Sequence, residues 1–415
     1  MSYVLRLRCA RCGEEYGPDE GVCMCRRGDD GRLDIFYDYE ALREALSDIG
    51  ERSGPRNVWR YRELLPVSSP KAMITIGEGG TPLVRAGRLA EKLGLENLYL
   101  KNETVNPTGS FKDRSMAVGV GKALEFGSET TVTASSGNAA AALAAYSARA
   151  GLGCYAFVPH AASQEKVAQL LLYGAQVFRV EEREKGVDPT VEMLRLAVRD
   201  FGWYPCPAFG PFNPYQVEGP KTIAYELVEE MGWESPDWVF VPVGSACLLT
   251  GVWRGFRDLV ELGLVERMPR LVGVQSSGNA PFARAYRSGA KPFEVRPWEE
   301  TSTVASGLAD PYPWDGDAGL RAIGETGGFA EEVSDGLIVD AEGMLASLEG
   351  VFAEPSGAAG LAGLMKLGER GAVGKAESVV VLVTGSGFKD LGVVGTMVGE
   401  APVIGPSLEE LKRYL

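Results

Sequence analysis

Histidine is almost missing from this chain: His160 is the only one in 415 residues. A His-based metal centre or a histidine-driven hydrolase triad needs more imidazole than that, so proton transfer falls to another side chain. His160 itself sits in VPHAAS, at the end of an apolar run, and reads as structural. Cations are also scarce, with 42 Lys and Arg against 56 Asp and Glu and a net charge of −14. That balance excludes nucleic acid and anionic membranes as partners, because both demand clustered positive charge. No apolar run approaches the ~18 residues of a membrane helix. The N-terminus MSYVLRLRCA lacks the apolar core of a signal peptide, so the expected location is cytoplasmic.

What is present is globular in kind. Hydrophobic residues make up 45% and charged residues 24%. The length exceeds what one core usually organises, which predicts two or three domains. Seven cysteines are too irregularly placed, and odd in number, for a disulfide framework. Cys154, Cys206 and Cys247 sit in apolar surroundings and read as core residues, whereas Cys9, Cys12, Cys23 and Cys25 crowd the start as C-x2-C, a ten-residue gap and C-x-C. Four thiolates on two knuckles can hold tetrahedral zinc, and the same ribbon can also persist without metal. Residues 1–40 therefore read as a Cys-rich, zinc-ribbon-like module. Residues 41–74 read as a linker helix and extended segment, and 401–415 as a C-terminal helix or tail.

Between these ends, short β-branched runs alternate with Ala/Leu-rich helical stretches. NLYLKN (97–102), TTVTAS (130–135), CYAFVP (154–159), QVFRV (176–180), WVFVPVG, RLVGVQS and VVVLVTG are the predicted strands. Alternation at this spacing predicts an α/β protein whose parallel sheets are covered on both faces.

The stretch NPTGSFKDRS (106–115) puts Lys112 straight after a Gly/Ser turn and an aromatic, with an aspartate and an arginine immediately behind. A solvated helix would scatter its charges; a lysine at a loop-to-helix junction is placed for a task. Three further glycine-bearing loops follow predicted strands: SSGN (135–138), PVGSACLL (242–249) and TGSGFKD (384–390). Each alone is a common structural device. Together, a positioned lysine and several helix N-termini with free N–H groups suit a cofactor bearing a carbonyl and a phosphate. Pyridoxal 5′-phosphate (PLP) carries both.

NPTGSFKDR, SSGNAA, EPSGAA (354–359) and TGSGFKD, together with WRYRELLP and GEGGTPL (77–83), resemble the motifs of the threonine synthase family, PLP-dependent enzymes of fold type II. The resemblance implies two parallel-rich three-layer α/β domains, 75–105 with 213–400 forming the larger and 106–212 a smaller mobile one. It implies a homodimer acting on a small amino-acid substrate. Lys112 would hold PLP as a Schiff base and shuttle protons, with Phe111 beside it. Asn138 would meet the PLP ring hydroxyl, Thr384 the pyridine nitrogen, and Glu354, with Ser356, would line the site. Val243, Gly244, Ser245, Ala246, Cys247 and Leu248 would cradle the cofactor phosphate. Ser135, Ser136, Asn138 and Ala139 would receive the substrate carboxylate, and Asn213 and Gln216 would complete the substrate pocket.

Two positions depart from the family pattern. The phosphate loop is GSACLL where relatives carry glycine and asparagine. Gln216, in FNPYQVEGPKT, stands where the family commonly has an arginine for the substrate phosphate. Arg114 and Lys221 are the candidate replacements. Three readings follow. One is conversion of O-phosphohomoserine and water to threonine and phosphate. A second is β-elimination or β-replacement on a serine-, threonine- or phosphoserine-type substrate, in the manner of dehydratases or cysteine and cysteate synthases. The third is a silent scaffold whose ribbon binds a partner, which the intact Lys112, Asn138 and Thr384 oppose.

Overall fold

The computed structural model describes residues 2–182 and 188–415. Its centre is a six-stranded sheet in the spatial order Phe329–Val333, Arg270–Ser276, Trp238–Pro242, Ser378–Val383, Asn97–Asn102, Leu83–Arg85. The first five run parallel and only the short edge strand Leu83–Arg85 is antiparallel. The run SVVVLV lies in the middle with five of its six residues buried, as a parallel strand covered on both faces must be.

A second, four-stranded sheet is parallel throughout, in the order Gln176–Val180, Gly153–Pro159, Thr130–Ala134, Tyr204–Pro205. Helix Lys112–Glu125 packs against helix Asn138–Ala150, and the latter packs on this sheet. Alanine gives the second helix high intrinsic propensity and a flat face. Gly121 on the first leaves no room for a side chain, since a Cβ there would approach the Ala72 carbonyl at 2.7 Å. The α/β class and the parallel sheets expected from the alternation are thus present, with Asn97–Asn102, Gln176–Val180 and Arg270–Ser276 falling on the predicted ranges.

The N-terminal ribbon is an antiparallel three-stranded sheet in the order Glu15–Tyr16, Val4–Cys9, Leu33–Tyr37. It is packed into the body of the protein. Leu7, Leu33 and Leu42 are fully buried in one core with Tyr225, Val252 and Phe256, and each buried leucine contributes about 1.5–3 kcal/mol. A buried ionic seam completes this contact. Arg32 reaches Asp317 at 2.6 Å and Asp34 at 2.9 Å, while Arg254 holds Glu218 at 3.0 Å and also meets Asp34. Among the described residues, no helix is long and apolar enough to cross a membrane.

Candidate active site

The glycine-bearing loops meet at the carboxyl ends of both sheets, around a cavity of about 830 Å³. Backbone pairing joins the Lys112 loop to the Thr384 loop, and the Thr384 loop to the segment before Glu354. Ser110 bridges Gly385, Ala353 bridges Ser386, and Phe111 N–H donates to the Thr384 carbonyl at 3.0 Å. Gly109 makes the turn before Lys112 with φ of +83°, in the left-handed region.

Lys112 opens helix Lys112–Glu125 and lines the cavity, its Nζ 4.8 Å from the centre of the Phe111 ring. Its ammonium group has no hydrogen-bonded or ionic partner among the described residues. Burial lowers its pKa below the ordinary lysine value, partly offset by Cys247, Asp315 and Asp310. The two charged residues behind it face away from the cavity and fix the helix start. Asp113 accepts the Thr108 hydroxyl at 2.7 Å and the Thr108 N–H at 2.8 Å. Arg114 is fully buried between Glu103 and Glu226, with Thr81 and Thr222 completing its bonds.

The loop after strand Trp238–Pro242 presents bare amides. Ala246 takes a left-handed φ of +71° before helix Cys247–Glu261, with no side-chain cap. The N–H groups of Gly244, Ser245, Ala246, Cys247 and Leu248 find no acceptor among the described residues. Gly244 must lack a side chain, because a Cβ would sit 2.9 Å from the Gly307 carbonyl. Asp315 steadies this loop through its own N–H, which donates to the Ser245 carbonyl at 2.8 Å. Its carboxylate accepts the Gly210 N–H at 3.0 Å.

Helix Asn138–Ala150 offers a second amide-lined entrance at Ser135–Ala139, where, among the described residues, the one N–H with an acceptor is that of Gly137, bonded to the Ser135 hydroxyl at 3.2 Å. Asn138 donates its side-chain amide to Glu354 at 2.8 Å, and burial pushes the Glu354 carboxyl up to about 7. Thr384 is nearly buried and keeps its hydroxyl free among the described residues.

These groups fit a phosphate-bearing carbonyl cofactor: an unpaired, partly desolvated lysine, orphaned N–H groups for a dianion and a free hydroxyl for a ring nitrogen. Phe111, Lys112, Ser135, Ser136, Asn138, Ala139, Gly244 to Leu248, Glu354, Ser356 and Thr384 all line the cavity. Val243, Asn213 and Gln216 do not. Val243 is buried in strand pairing with Val274, and Asn213 donates to the Pro205 carbonyl at 2.7 Å. Gln216 is fully buried, and with its amide oxygen and nitrogen exchanged to suit their surroundings the oxygen accepts the N–H groups of Ala208 and Phe209 at 2.7 and 2.8 Å. It shapes the cavity only indirectly, through Phe209, which is a lining residue. Neither candidate replacement for an arginine reaches the cavity. Arg114 is bound as above, and Lys221 pairs with Asp258 and Glu218 at 2.7 and 2.8 Å.

Sequence reasoning gave no role to Lys166, Ser306, Asp310 and Lys389, which also line the cavity. Lys389 alone carried a signal, since TGSGFKD repeats the Phe-Lys-Asp of SFKD.

In the ribbon, the group able to share a metal ion is Cys9, Cys12, Cys25 and Asp29, with one ligand atom from each within 4.8 Å of the others. Cys23 is not part of it. The Val22 carbonyl is tied to the Tyr215 hydroxyl at 3.2 Å, and Cys23 packs among the apolar side chains of the neighbouring cores. The turn at Cys25–Gly28 instead returns Asp29 to Cys9, at 3.5 Å.

Residues 74–385 match the model of the pyridoxal-phosphate dependent enzymes. Fold and site together thus define the class: the chain belongs to the PLP-dependent enzymes of fold type II. Within it the chain belongs to the threonine synthase family. It is 40% identical to threonine synthase of Methanocaldococcus jannaschii, across 92% of each chain. It is 39% identical to that of Methanosarcina acetivorans, covering 99% of this chain and 98% of the other. Among solved structures, maize serine racemase superposes with a TM-score of 0.66 at 22% identity, covering 86% of this chain and 96% of that one. An O-ureido-L-serine synthase gives 0.64 at 24% identity, covering 78% and 94%. These two likenesses show the fold alone.

Proposed function

We propose that this enzyme converts O-phosphohomoserine and water to threonine and inorganic phosphate. The observation that carries the reading is the convergence of an unpaired lysine and two amide-lined helix entrances on one cavity, in a chain whose near-full-length relatives are threonine synthases. PLP, when bound, supplies the electron sink that makes substrate C–H bonds acidic. The chain's own residues do the rest. Lys112 holds the cofactor carbonyl and, with its basicity tuned by burial, moves protons at the substrate carbons as phosphate leaves and water adds. The N–H groups of Gly244 to Leu248 take the cofactor phosphate, and those at Ser135–Ala139 take the substrate carboxylate. The Thr384 hydroxyl would hydrogen-bond the pyridine nitrogen and leave it largely uncharged. The smaller unit, 106–212, closes over the substrate and excludes water.

The test is to supply O-phosphohomoserine to the PLP-loaded protein and follow phosphate and threonine together. Equal amounts support the reading; absence of both products refutes it. A second reading, β-elimination or β-replacement on a serine-, threonine- or phosphoserine-type substrate, is favoured by one observation: no arginine lines the cavity among the described residues. Phosphate release from O-phosphoserine but not from O-phosphohomoserine would select it.

The ribbon group supports structural zinc on Cys9, Cys12, Cys25 and Asp29. The Cys12 and Cys25 sulfurs lie 3.6 Å apart, close to the ~3.8 Å edge of a tetrahedron with 2.3 Å zinc–sulfur bonds. One equivalent of zinc by elemental analysis checks this. The proposal extends to a cytoplasmic homodimer, supported by biosynthetic relatives and by exposed apolar side chains such as Leu172 and Val403. Light scattering measures its mass.

A further inference from the structure

Three ammonium groups line the cavity among the described residues, Lys112, Lys166 and Lys389, and the cofactor accounts for one. Lys389 donates to the Thr108 carbonyl at 2.8 Å and to Gln169 Oε1 at 3.3 Å. Gln169 follows Lys166 by three residues in helix Gln164–Leu172, so the two share a helix face. Lys166 donates to the Ser306 hydroxyl at 3.1 Å, and that hydroxyl lies 3.4 Å from the carboxylate of Asp390, the neighbour of Lys389. The two ammonium groups thus reach one cavity from separate parts of the chain. Neither forms an ion pair with a carboxylate among the described residues. The charges of Glu354 and Asp113 act on Lys389 from beyond ion-pair distance; the two like charges still oppose one another, and an anion between them removes that repulsion. The position where an arginine was expected, Gln216, is sealed in the backbone of residues 208–209, so any anion-binding cation in this cavity has to come from elsewhere.

We infer that Lys166, Lys389 and Ser306 form a cradle for the phosphate of a phosphomonoester substrate, separate from the amide loop 244–248. The identity of that phosphomonoester rests on the proposed function; the cradle does not. The two lysines act as point charges, which tolerate a leaving group that shifts as its bond breaks, where a bidentate arginine would hold one orientation.

The experiment titrates inorganic phosphate into PLP-loaded protein by calorimetry, with the cofactor's own phosphate already filling the amide loop. Lys166→Met and Lys389→Met should each weaken binding about tenfold, as loss of one charge-assisted contact does, while Lys389→Arg retains it. Cofactor absorbance and the spectral response to L-serine should stay as in wild type. Wild-type phosphate affinity in both methionine variants, at unchanged melting temperature and cofactor content, overturns the cradle. So does failure of the wild type to bind phosphate. If Lys389→Met does not fold, Lys166→Met decides alone, because Lys166 is only half-buried. Parallel titrations with O-phosphohomoserine and O-phosphoserine identify which ester uses the site. Should phosphate binding fall in the variants while the wild type leaves O-phosphohomoserine untouched, the cradle stands and the threonine reading falls.

Discussion

Two loops of this protein spell Phe-Lys-Asp, at 111–113 and 388–390, and the structure treats them oppositely. In the first, the lysine is left without a partner while everything around it is tied down. Asp113 grips Thr108 twice, and Arg114 sits fully buried between two glutamates. In the second, the lysine is the bonded member, held to Thr108 and Gln169. Asp390 stays half-exposed, and Phe388 remains 76% exposed. The stem of Lys389 lies 3.3 Å from where a Cβ on Gly109 would stand, so the turn that presents one lysine also makes room for the other. A reactive amine needs a rigid frame and an empty coordination sphere; a binding cation needs only to be aimed. The tripeptide is the same, and the residues just outside it decide the role.

The largest test of that contrast removes each lysine. Lys112→Ala should cost about 10³-fold or more in turnover and abolish the visible cofactor band, since it removes both the attachment and the proton carrier. Lys389→Ala should keep the band. Equal loss from both would erase the distinction. Next comes the frame. Arg114→Met leaves Glu103 without its buried partner, though Glu226 keeps Lys101 at 2.9 Å. The expected cost is about 3–5 kcal/mol by denaturant titration. A change below about 1 kcal/mol would mean the ionic clamp does not fix the helix start.

The smallest effect sharpens the second loop. Glu354, near Lys389, has its folded-state carboxyl raised from 4.5 to about 7 by burial. A raised acid favours the folded state most when protonated. Its contribution is therefore complete below about pH 4.5 and is lost as pH rises through about 7. It amounts to no more than about 3 kcal/mol. The melting temperature of the cofactor-free protein should fall between pH 5 and pH 8, and Glu354→Gln, neutral throughout, should flatten that slope. An unchanged slope in the variant would place the titration elsewhere.

The sequence was informative where the chemistry is local. The turn residues before Lys112, the alanine helix behind SSGN and the apolar strands each follow from short-range pattern, and the strands fall close to their expected ranges. What depends on distant pairing was not visible. Arg114 looks like a cation free to reach substrate until Glu226, 112 residues away, claims it. Gln216 marks the loss of an arginine, but only the folded backbone shows its amide turned onto Ala208 and Phe209. In the ribbon, C-x-C spacing suggests a pair, and the bond from Tyr215 to Val22 separates them and lets Asp29 in. That aspartate, four residues past Cys25 in a glycine-flanked turn, was the one local signal available.

The most direct test of the account is chemical. The protein is loaded with PLP, reduced with borohydride, digested and analysed by mass spectrometry for the added pyridoxyl group. The modification is expected on the peptide carrying Lys112 and not on that carrying Lys389. Attachment at Lys389, or at no lysine of the cavity, would contradict it.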